Sequence, residues 1–156
     1  MAEVQPQVRA RLVAAPSAEA AIVGVDIVCA ATTSHTPVFD GLQLAPGTHV
    51  NGVGSFTTQM QEVDAETVRQ ARIFVDSRSA ALAEAGDLVI PLRAGQTREA
   101  DWTELGEVAA GRQPGRRSAD EITFFKSVGV AVQDVAAASQ ALIEARRRGL
   151  GREVEF

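Results

Sequence analysis

The sequence predicts an α/β domain built on a parallel β-sheet. Short apolar runs, such as residues 26–32 and 72–76, lack the alternation of a strand with one solvated face, which is typical of strands buried on both faces. Segments with helix-capping residues separate these runs, and strands that alternate with helices are typical of a parallel sheet. The 156 residues, 46% of them hydrophobic, are enough for one such domain.

The first half of the chain predicts five elements. They are a strand over 9–15, a helix over 17–24, a strand over 26–32, a strand over 48–54 and a helix over 65–71. Ser17 and Asp64 precede the two helices, where a side-chain oxygen can accept a hydrogen bond from a free backbone N–H. Gly24 suits the end of the first helix because glycine tolerates the left-handed conformation found there.

The second half predicts six further elements. They are a strand over 72–76, a helix over 78–84, a short extended piece over 88–92, a helix over 101–110, a strand over 121–126 and a helix over 128–147. Residues 118–121 match a capping box, so one helix over 118–147 is the alternative to the last two. The β-branched and aromatic cluster 122–125 favours the strand, and Ser127 then caps the last helix.

Composition and charge exclude several classes of protein. The net charge of −5 argues against a protein that binds nucleic acid through bulk positive charge. The single cysteine, Cys29, excludes a disulfide within the chain. Asp26 interrupts the longest apolar stretch, so no membrane span and no secretory leader are expected, and a cytoplasmic location is the default. His35 and His49 lack a nearby cysteine pair, so we expect no metal site.

Small polar residues and glycines follow three of the predicted strands, at residues 32–35, 51–56 and 126–129. Ligands of parallel sheets bind at the carboxyl ends of the strands. The pattern therefore indicates a ligand pocket at this edge, although ordinary turns use the same residue types and the two interpretations stay open at this point. Lys126 adjoins the last segment, and we interpret it as a structural group, not a catalytic one.

Six segments occur in a characteristic order and spacing: residues 26–38, 46–54, 74–77, 85–88, 104–107 and 120–129. Together they resemble the ornithine cyclodeaminase/mu-crystallin family over about residues 10–155. The resemblance implies a Rossmann-type domain that binds NAD(P)(H). It also implies an N-terminal domain that carries dimerisation and most contacts with a small amino-acid or imino-acid substrate.

The chain is expected to hold only part of that Rossmann-like domain. No Gly-x-Gly-x-x-Gly motif opens a helix after a first strand, so we expect the first βαβ unit to be lacking. Residues 8–126 are then the C-terminal part of the NAD(P)-binding domain. Residues 127–148 form a long helix returning to the absent N-terminal half, or to a second copy, with 1–7 and 149–156 as tails.

The resemblance also implies roles for residues at the strand ends. The implied cofactor contacts are Thr32, Asn51, Val53, Gly54 and Ser127. Val128 and Gly129 are implied to lie beside the substrate, and Ser127 is expected to offer free backbone N–H groups at a helix start. No catalytic residue is assigned.

Phe56 bears on the reaction. Ornithine cyclodeaminases have a proton-handling aspartate at the aligned position, and a phenyl ring cannot transfer a proton. The resemblance therefore implies an NAD(P)-dependent reductase of a cyclic imino acid such as 1-pyrroline-2-carboxylate. The alternatives are a cyclodeaminase-type lyase, a non-enzymatic protein that binds NADP or another small ligand, and an inactive fragment. Neither nucleic acid nor membrane is an expected partner.

Overall fold

A computed structural model describes residues 5–152 and residue 154. Its centre is a five-stranded sheet made of β1 (Ile27–Ala30), β2 (His49–Gly52), β3 (Arg72–Val75), β4 (Thr103–Glu104) and β5 (Thr123–Lys126). The strand order is β1-β2-β5-β3-β4, and every pair is parallel. The α/β class with a parallel sheet is confirmed, as is the strand in place of a single helix over 118–147.

Within the described residues, six α-helices surround or follow the sheet. They are α1 (Ala18–Ile22), α2 (Ala65–Gln70), α3 (Arg78–Glu84), α4 (Gly86–Arg93), α5 (Leu105–Ala109) and α6 (Ala131–Arg148). The predicted caps of the first two are confirmed. Ser17 accepts a hydrogen bond from the N–H of Ala20, and Asp64 accepts one from the N–H of Thr67. Among residues 5–152, no helix is both long and apolar enough to cross a membrane.

The core lies on one face of the sheet. Val50, Val75 and Phe124, which are fully buried, point to this face together with Leu88 of α4. On the other face Ile27 and Cys29 are exposed, so β1 alternates between exposed and buried residues. The expectation that this strand is buried on both faces is therefore wrong within the described chain.

The connections between strands explain this asymmetry. The connections from β1 to β2, from β2 to β3 and from β3 to β4 all run in one direction across the sheet. The connection from β4 to β5 runs in the opposite direction. Right-handed connections then place α2, α3 and α4 on one face and α5 on the other. Leu105 and Val108 of the short α5 line a groove of about 440 Å³ with Phe74 and Phe125, and the groove leaves the second face open.

Residues 9–15 form no strand. The side chain of Gln5 instead holds this segment, because its Nε2 donates to the carbonyl of Ala10 and its Oε1 accepts from the N–H of Leu12, both at 2.9 Å. The prediction of a strand over 9–15 is therefore wrong. A strand needs a partner for its backbone groups, and β1 pairs only with β2 among the described residues.

Two predictions in the second half are also wrong. Residues 88–92 belong to α4, with Pro91 inside the helix, because burial of Leu88 and Val89 outweighs the low helix propensity of the segment. The helix predicted over 101–110 is shorter. A 3₁₀ turn at Glu99–Asp101 and strand β4 precede α5, which begins only at Leu105.

The last helix begins at Ala131, with Val130 in the capping position. The prediction that Ser127 caps this helix is wrong. The helix ends at Gly149, whose φ of 64° lies in the left-handed region that glycine tolerates. The proposed tails, residues 1–7 and 149–156, include residues 1–4, 153, 155 and 156, which lie outside the described residues.

Helix α6 leaves an apolar stripe in solvent. None of its residues is buried, and Val132, Val135, Leu142 and Ile143 are 70%, 64%, 52% and 58% exposed. An amphipathic helix gains stability by burying such a stripe against another surface. Each side chain left exposed forgoes roughly 1.5–3 kcal/mol of burial free energy.

We therefore expect the isolated chain to self-associate through α6. Replacing Val132 and Val135 together with glutamate should shift the sedimentation coefficient toward that of a monomer at the same concentration. The matched control replaces Gln133 and Gln140 with glutamate, which adds the same charge to the same helix outside the stripe. A chain that sediments as a monomer at all concentrations would contradict the prediction.

Candidate functional site

The loops that follow β1, β2 and β5 lie side by side at the carboxyl edge of the sheet. The N–H of Val53 donates to the carbonyl of Ala30 at 2.9 Å, and the N–H of Ser127 donates to the carbonyl of Gly52 at 3.1 Å. The ladder hydrogen bonds therefore continue past the strand ends. Three segments that are far apart in sequence meet here, as the parallel arrangement predicts.

The structure brings together six of the seven residues implied to bind cofactor or substrate. They are Thr32, Val53, Gly54, Ser127, Val128 and Gly129. Asn51 is separated from them, because its side chain points to the open face of the sheet. There Asn51 contacts the ring of His49 at 3.1 Å and the sulfur of Cys29 at 3.6 Å.

The first loop, residues 32–38, begins with a short turn. The hydroxyl of Thr32 accepts a hydrogen bond from the N–H of Ser34 at 3.0 Å, and the hydroxyl of Ser34 donates to the carbonyl of Thr36 at 2.6 Å. Such local side-chain bonds are the reason that serine and threonine favour turns over regular structure. The N–H of Thr32 donates to the carboxylate of Glu62.

The second loop follows β2 and carries two exposed apolar side chains. Val53 is 46% exposed and Phe56 is 56% exposed. Between them, the N–H groups of Gly54 and Ser55 donate to Glu62 Oε2 at 2.6 and 2.9 Å. A Cβ atom on Gly54 would overlap both the carbonyl oxygen of Thr32 and the carboxylate of Glu62, so only glycine fits here.

Asp76 holds the third loop. Its Oδ2 accepts hydrogen bonds from the Ser127 hydroxyl at 2.9 Å, the Val128 N–H at 3.0 Å and the Gly129 N–H at 2.8 Å. Gly129 has a φ of 80°, a left-handed conformation that favours glycine. The expectation that these N–H groups are free for a ligand is therefore wrong, because a carboxylate of the chain already occupies them.

A fully buried charge cluster lies beneath the second loop. The ammonium of Lys126 lies 3.1 Å from Asp87 Oδ2 and donates to the carbonyl of Ser55 at 2.6 Å. The Ser55 hydroxyl donates to Asp87 Oδ2 at 2.6 Å, and Asp87 Oδ1 accepts from the N–H groups of Glu62 and Val63. Buried charges persist only when paired and hydrogen-bonded, and here every carboxylate oxygen has a partner.

Sequence reasoning missed Glu62, Asp76 and Asp87 as residues of this edge, although it interpreted Lys126 correctly as structural. The sequence offered one signal for such residues, a charged residue next to an apolar run, as where Asp87 precedes Leu88-Val-Ile. Their partners could not be inferred, since Asp76 bonds residues more than fifty positions away.

The edge offers hydroxyl groups, backbone groups and apolar contacts. Val53 and Phe56 present apolar surface, while Thr32 and Ser127 present hydroxyls. Its carboxylates are engaged with the chain itself, so the arrangement suits binding and orienting a flat, partly apolar ligand more than proton transfer. Away from this edge, on the surface of α5, hydrogen bonds from Arg112 lower the pKa of the exposed carboxyl of Glu107.

Comparison with known proteins finds one family and close relatives. The model of the ornithine cyclodeaminase/mu-crystallin family matches residues 1–147. The Delta(1)-pyrroline-2-carboxylate reductase of Bacillus cereus strain ATCC 10987 is 42% identical over 142 residues, which cover 90% of this chain and 43% of the relative. The chain thus spans less than half the length of this relative.

Solved structures of reductases have the same fold. The Delta(1)-pyrroline-2-carboxylate reductase of Thermococcus litoralis, in complex with NADH and L-proline, superposes with a TM-score of 0.83 at 41% identity over 88% of this chain and 43% of that chain. The iminosuccinate reductase of Paracoccus denitrificans, in complex with NAD⁺, gives a TM-score of 0.78 at 33% identity over 86% and 41%.

Proposed function

Since the chain belongs to the ornithine cyclodeaminase/mu-crystallin family, we propose that it is the C-terminal part of an NAD(P)-dependent reductase of cyclic imino acids. The proposed substrate is 1-pyrroline-2-carboxylate. The observation that carries the proposal is the 42% identity to a Delta(1)-pyrroline-2-carboxylate reductase over 90% of the chain. The NADH and L-proline in the related Thermococcus structure fit this chemistry, because proline is the reduced form of that imino acid.

We propose that the carboxyl edge of the sheet receives the nicotinamide end of the cofactor. Gly129, with open space where a side chain would be, allows close approach to the backbone, and the exposed Val53 supplies an apolar contact for a ring. Thr32 contributes a hydroxyl, and the Ser127 hydroxyl, whose hydrogen is donated to Asp76, contributes an acceptor oxygen. When bound, the cofactor supplies a hydride for the imine carbon. Among the described residues no Gly-x-Gly-x-x-Gly turn is present to hold the pyrophosphate, so the edge fits only part of the cofactor.

The chain's own residues would bind, orient and exclude water. Val128 and Gly129 would lie beside the substrate, held in place by Asp76. Phe56 would shield the reacting atoms from solvent, and it cannot donate or accept a proton. Any proton required by the reaction would therefore come from a group other than Phe56.

A cyclodeaminase-type lyase is less well supported. That reaction needs a carboxylate where this chain has Phe56, and the nearby carboxylates of Glu62 and Asp76 are already bonded to backbone N–H groups. The remaining alternatives are a protein that binds NADP or another small ligand without turning over a substrate, and an inactive fragment. The experiment below separates both from the reductase.

The proposal is tested on the full chain fused behind the upstream part of the Bacillus cereus reductase that this chain does not cover. We expect the fusion to oxidise NADH in the presence of 1-pyrroline-2-carboxylate, whereas the chain alone binds NADH weakly or not at all.

Ser127→Ala in the fusion should weaken NADH binding about fivefold, which corresponds to the loss of one hydrogen bond of about 1 kcal/mol. Phe56→Asp should not create ammonia release from ornithine.

Each alternative has its own outcome. Ammonia release from ornithine by the unaltered fusion would support a lyase. Tight NADH binding without reduction of the imino acid would support a non-enzymatic binder. A folded fusion that neither binds NADH nor reduces 1-pyrroline-2-carboxylate would overturn the proposal.

A further inference from the structure

We propose that Glu62 is a positioning residue that couples the loop after β1 to the loop after β2 and thereby sets the geometry of the cofactor-facing edge. The first part of this inference concerns the two loops only. The second part, that the coupling controls cofactor binding, rests on the proposed function. Glu62 is fully buried and does not reach the exposed surface of either loop, so it would act through the backbone it holds.

The carboxylate of Glu62 joins two loops that are distant from each other in sequence. Oε1 accepts the N–H of Thr32, at the start of the first loop. Oε2 accepts the N–H groups of Gly54 and Ser55, in the second loop. An ionised carboxylate has only acceptor sites and can satisfy three donors at once, which an amide of the same shape cannot do.

The main chain of Glu62 extends the same clamp. Its carbonyl accepts the N–H of Val38 at 2.9 Å, so Glu62 binds both the first and the last residue of the 32–38 loop. Its N–H donates to Asp87 Oδ1 at 2.7 Å, and this ties the clamp to the buried cluster with Lys126. Glu62 is therefore fixed in position by the core and fixes the loops in turn.

Direct packing makes this coupling stiff. The backbone of Gly54 lies against both the carbonyl of Thr32 and the carboxylate of Glu62, with no room for one additional carbon atom between them. A shift of the Glu62 carboxylate must move both loops together. Thr32 and Val53, which we propose as cofactor contacts on the two loops, would then lose their relative placement.

The test uses the full chain, labelled for NMR. Glu62→Gln keeps the shape of the side chain but replaces one acceptor by a donor that faces backbone N–H groups. We expect amide hydrogen exchange at Thr32 and Gly54 to accelerate roughly tenfold or more, which is the effect of losing hydrogen bonds to a charged group. Amides in the strand centres, such as Val50 and Phe124, should keep their exchange rates. The matched control is Glu66→Gln on the partly exposed face of α2, where the carboxylate pairs with Arg69, and it should change neither set.

Two outcomes of this comparison overturn the clamp. One is unchanged exchange at both loops in Glu62→Gln, and the other is a uniform acceleration across the whole sheet, which indicates a merely structural role. If Glu62→Gln fails to fold, the unaltered chain still decides the matter. Through-hydrogen-bond NMR couplings should connect the carboxylate carbon of Glu62 to the amide nitrogens of Thr32 and Gly54, and their absence would contradict the proposal.

The cofactor part is measured separately in the fusion protein described above. Glu62→Gln should raise the NADH dissociation constant roughly tenfold, while Glu66→Gln leaves it unchanged. Unchanged affinity in Glu62→Gln would overturn the cofactor part while leaving the clamp intact. If the unaltered fusion does not bind NADH, the proposed function and the cofactor part both fail, whereas the exchange data on the chain still decide the coupling of the loops.

Discussion

Replacing Lys126 with methionine is expected to lower the free energy of unfolding by about 3–5 kcal/mol, the usual effect of removing one partner of a buried ion pair. The ammonium of Lys126 is fully buried, 3.1 Å from Asp87 Oδ2, and it also donates to the carbonyl of Ser55. Methionine fills a similar volume but leaves Asp87 as an uncompensated charge in the core. Urea unfolding followed by circular dichroism measures the change.

The control for this prediction is Arg112→Met. Arg112 pairs with Glu107 on the surface, with exposed side chains, and exposed pairs contribute about 0–1 kcal/mol. If Lys126→Met lowers the free energy of unfolding no more than the control does, the charge of Lys126 does not stabilise the fold. Since whole domains are stable by only about 5–15 kcal/mol, the expected loss would leave a marginal fold.

The second large effect is expected for Gly54→Ala. The new Cβ atom would overlap the carbonyl oxygen of Thr32 and the carboxylate of Glu62. The carboxylate cannot move away without breaking its hydrogen bonds to the N–H groups of Thr32 and Gly54. Overpacking of this kind costs about 1–3 kcal/mol, and a clash with backbone lies at the upper end. The free energy of unfolding should fall accordingly, and the amide resonances of both loops should shift.

Gly106→Ala serves as the comparison. Gly106 lies in α5, and a Cβ atom there would meet no atom within 4 Å. Alanine is favoured over glycine in a helix by roughly 1 kcal/mol, so this variant should be slightly more stable than the parent. If both substitutions changed stability with the same sign and size, the close packing around Gly54 would not be the cause.

Much of the fold could be predicted because it depends on neighbours in sequence. Ser17 and Asp64 cap their helices through N–H groups three residues away, so their side chains are enough to place those helix starts. The β-branched and aromatic residues of β5 likewise favoured a strand over a helix. The meeting of the three loops at one edge followed from a general property of parallel sheets.

Other elements were mispredicted where burial outweighed local preference. Pro91 and the β-branched residues around it favour an extended segment, yet α4 forms because its apolar face packs into the core. Ser127 looks like a helix cap in sequence, but its hydroxyl donates to Asp76, fifty-one residues earlier in the chain. The helix therefore begins at Ala131, three residues after the predicted start at residue 128.

The sequence by itself determined the α/β class, three of the six described helix starts, the strand ends that form the candidate site and the family resemblance. Only the tertiary structure decided what holds that site together. The bonds from Lys126 to Ser55 and from Glu62 to Thr32 join residues 71 and 30 positions apart. Periodicity and capping report on contacts within about four residues, whereas such pairs depend on which segments pack against each other. For the same reason, only the packed sheet shows that Asn51 faces away from the candidate site.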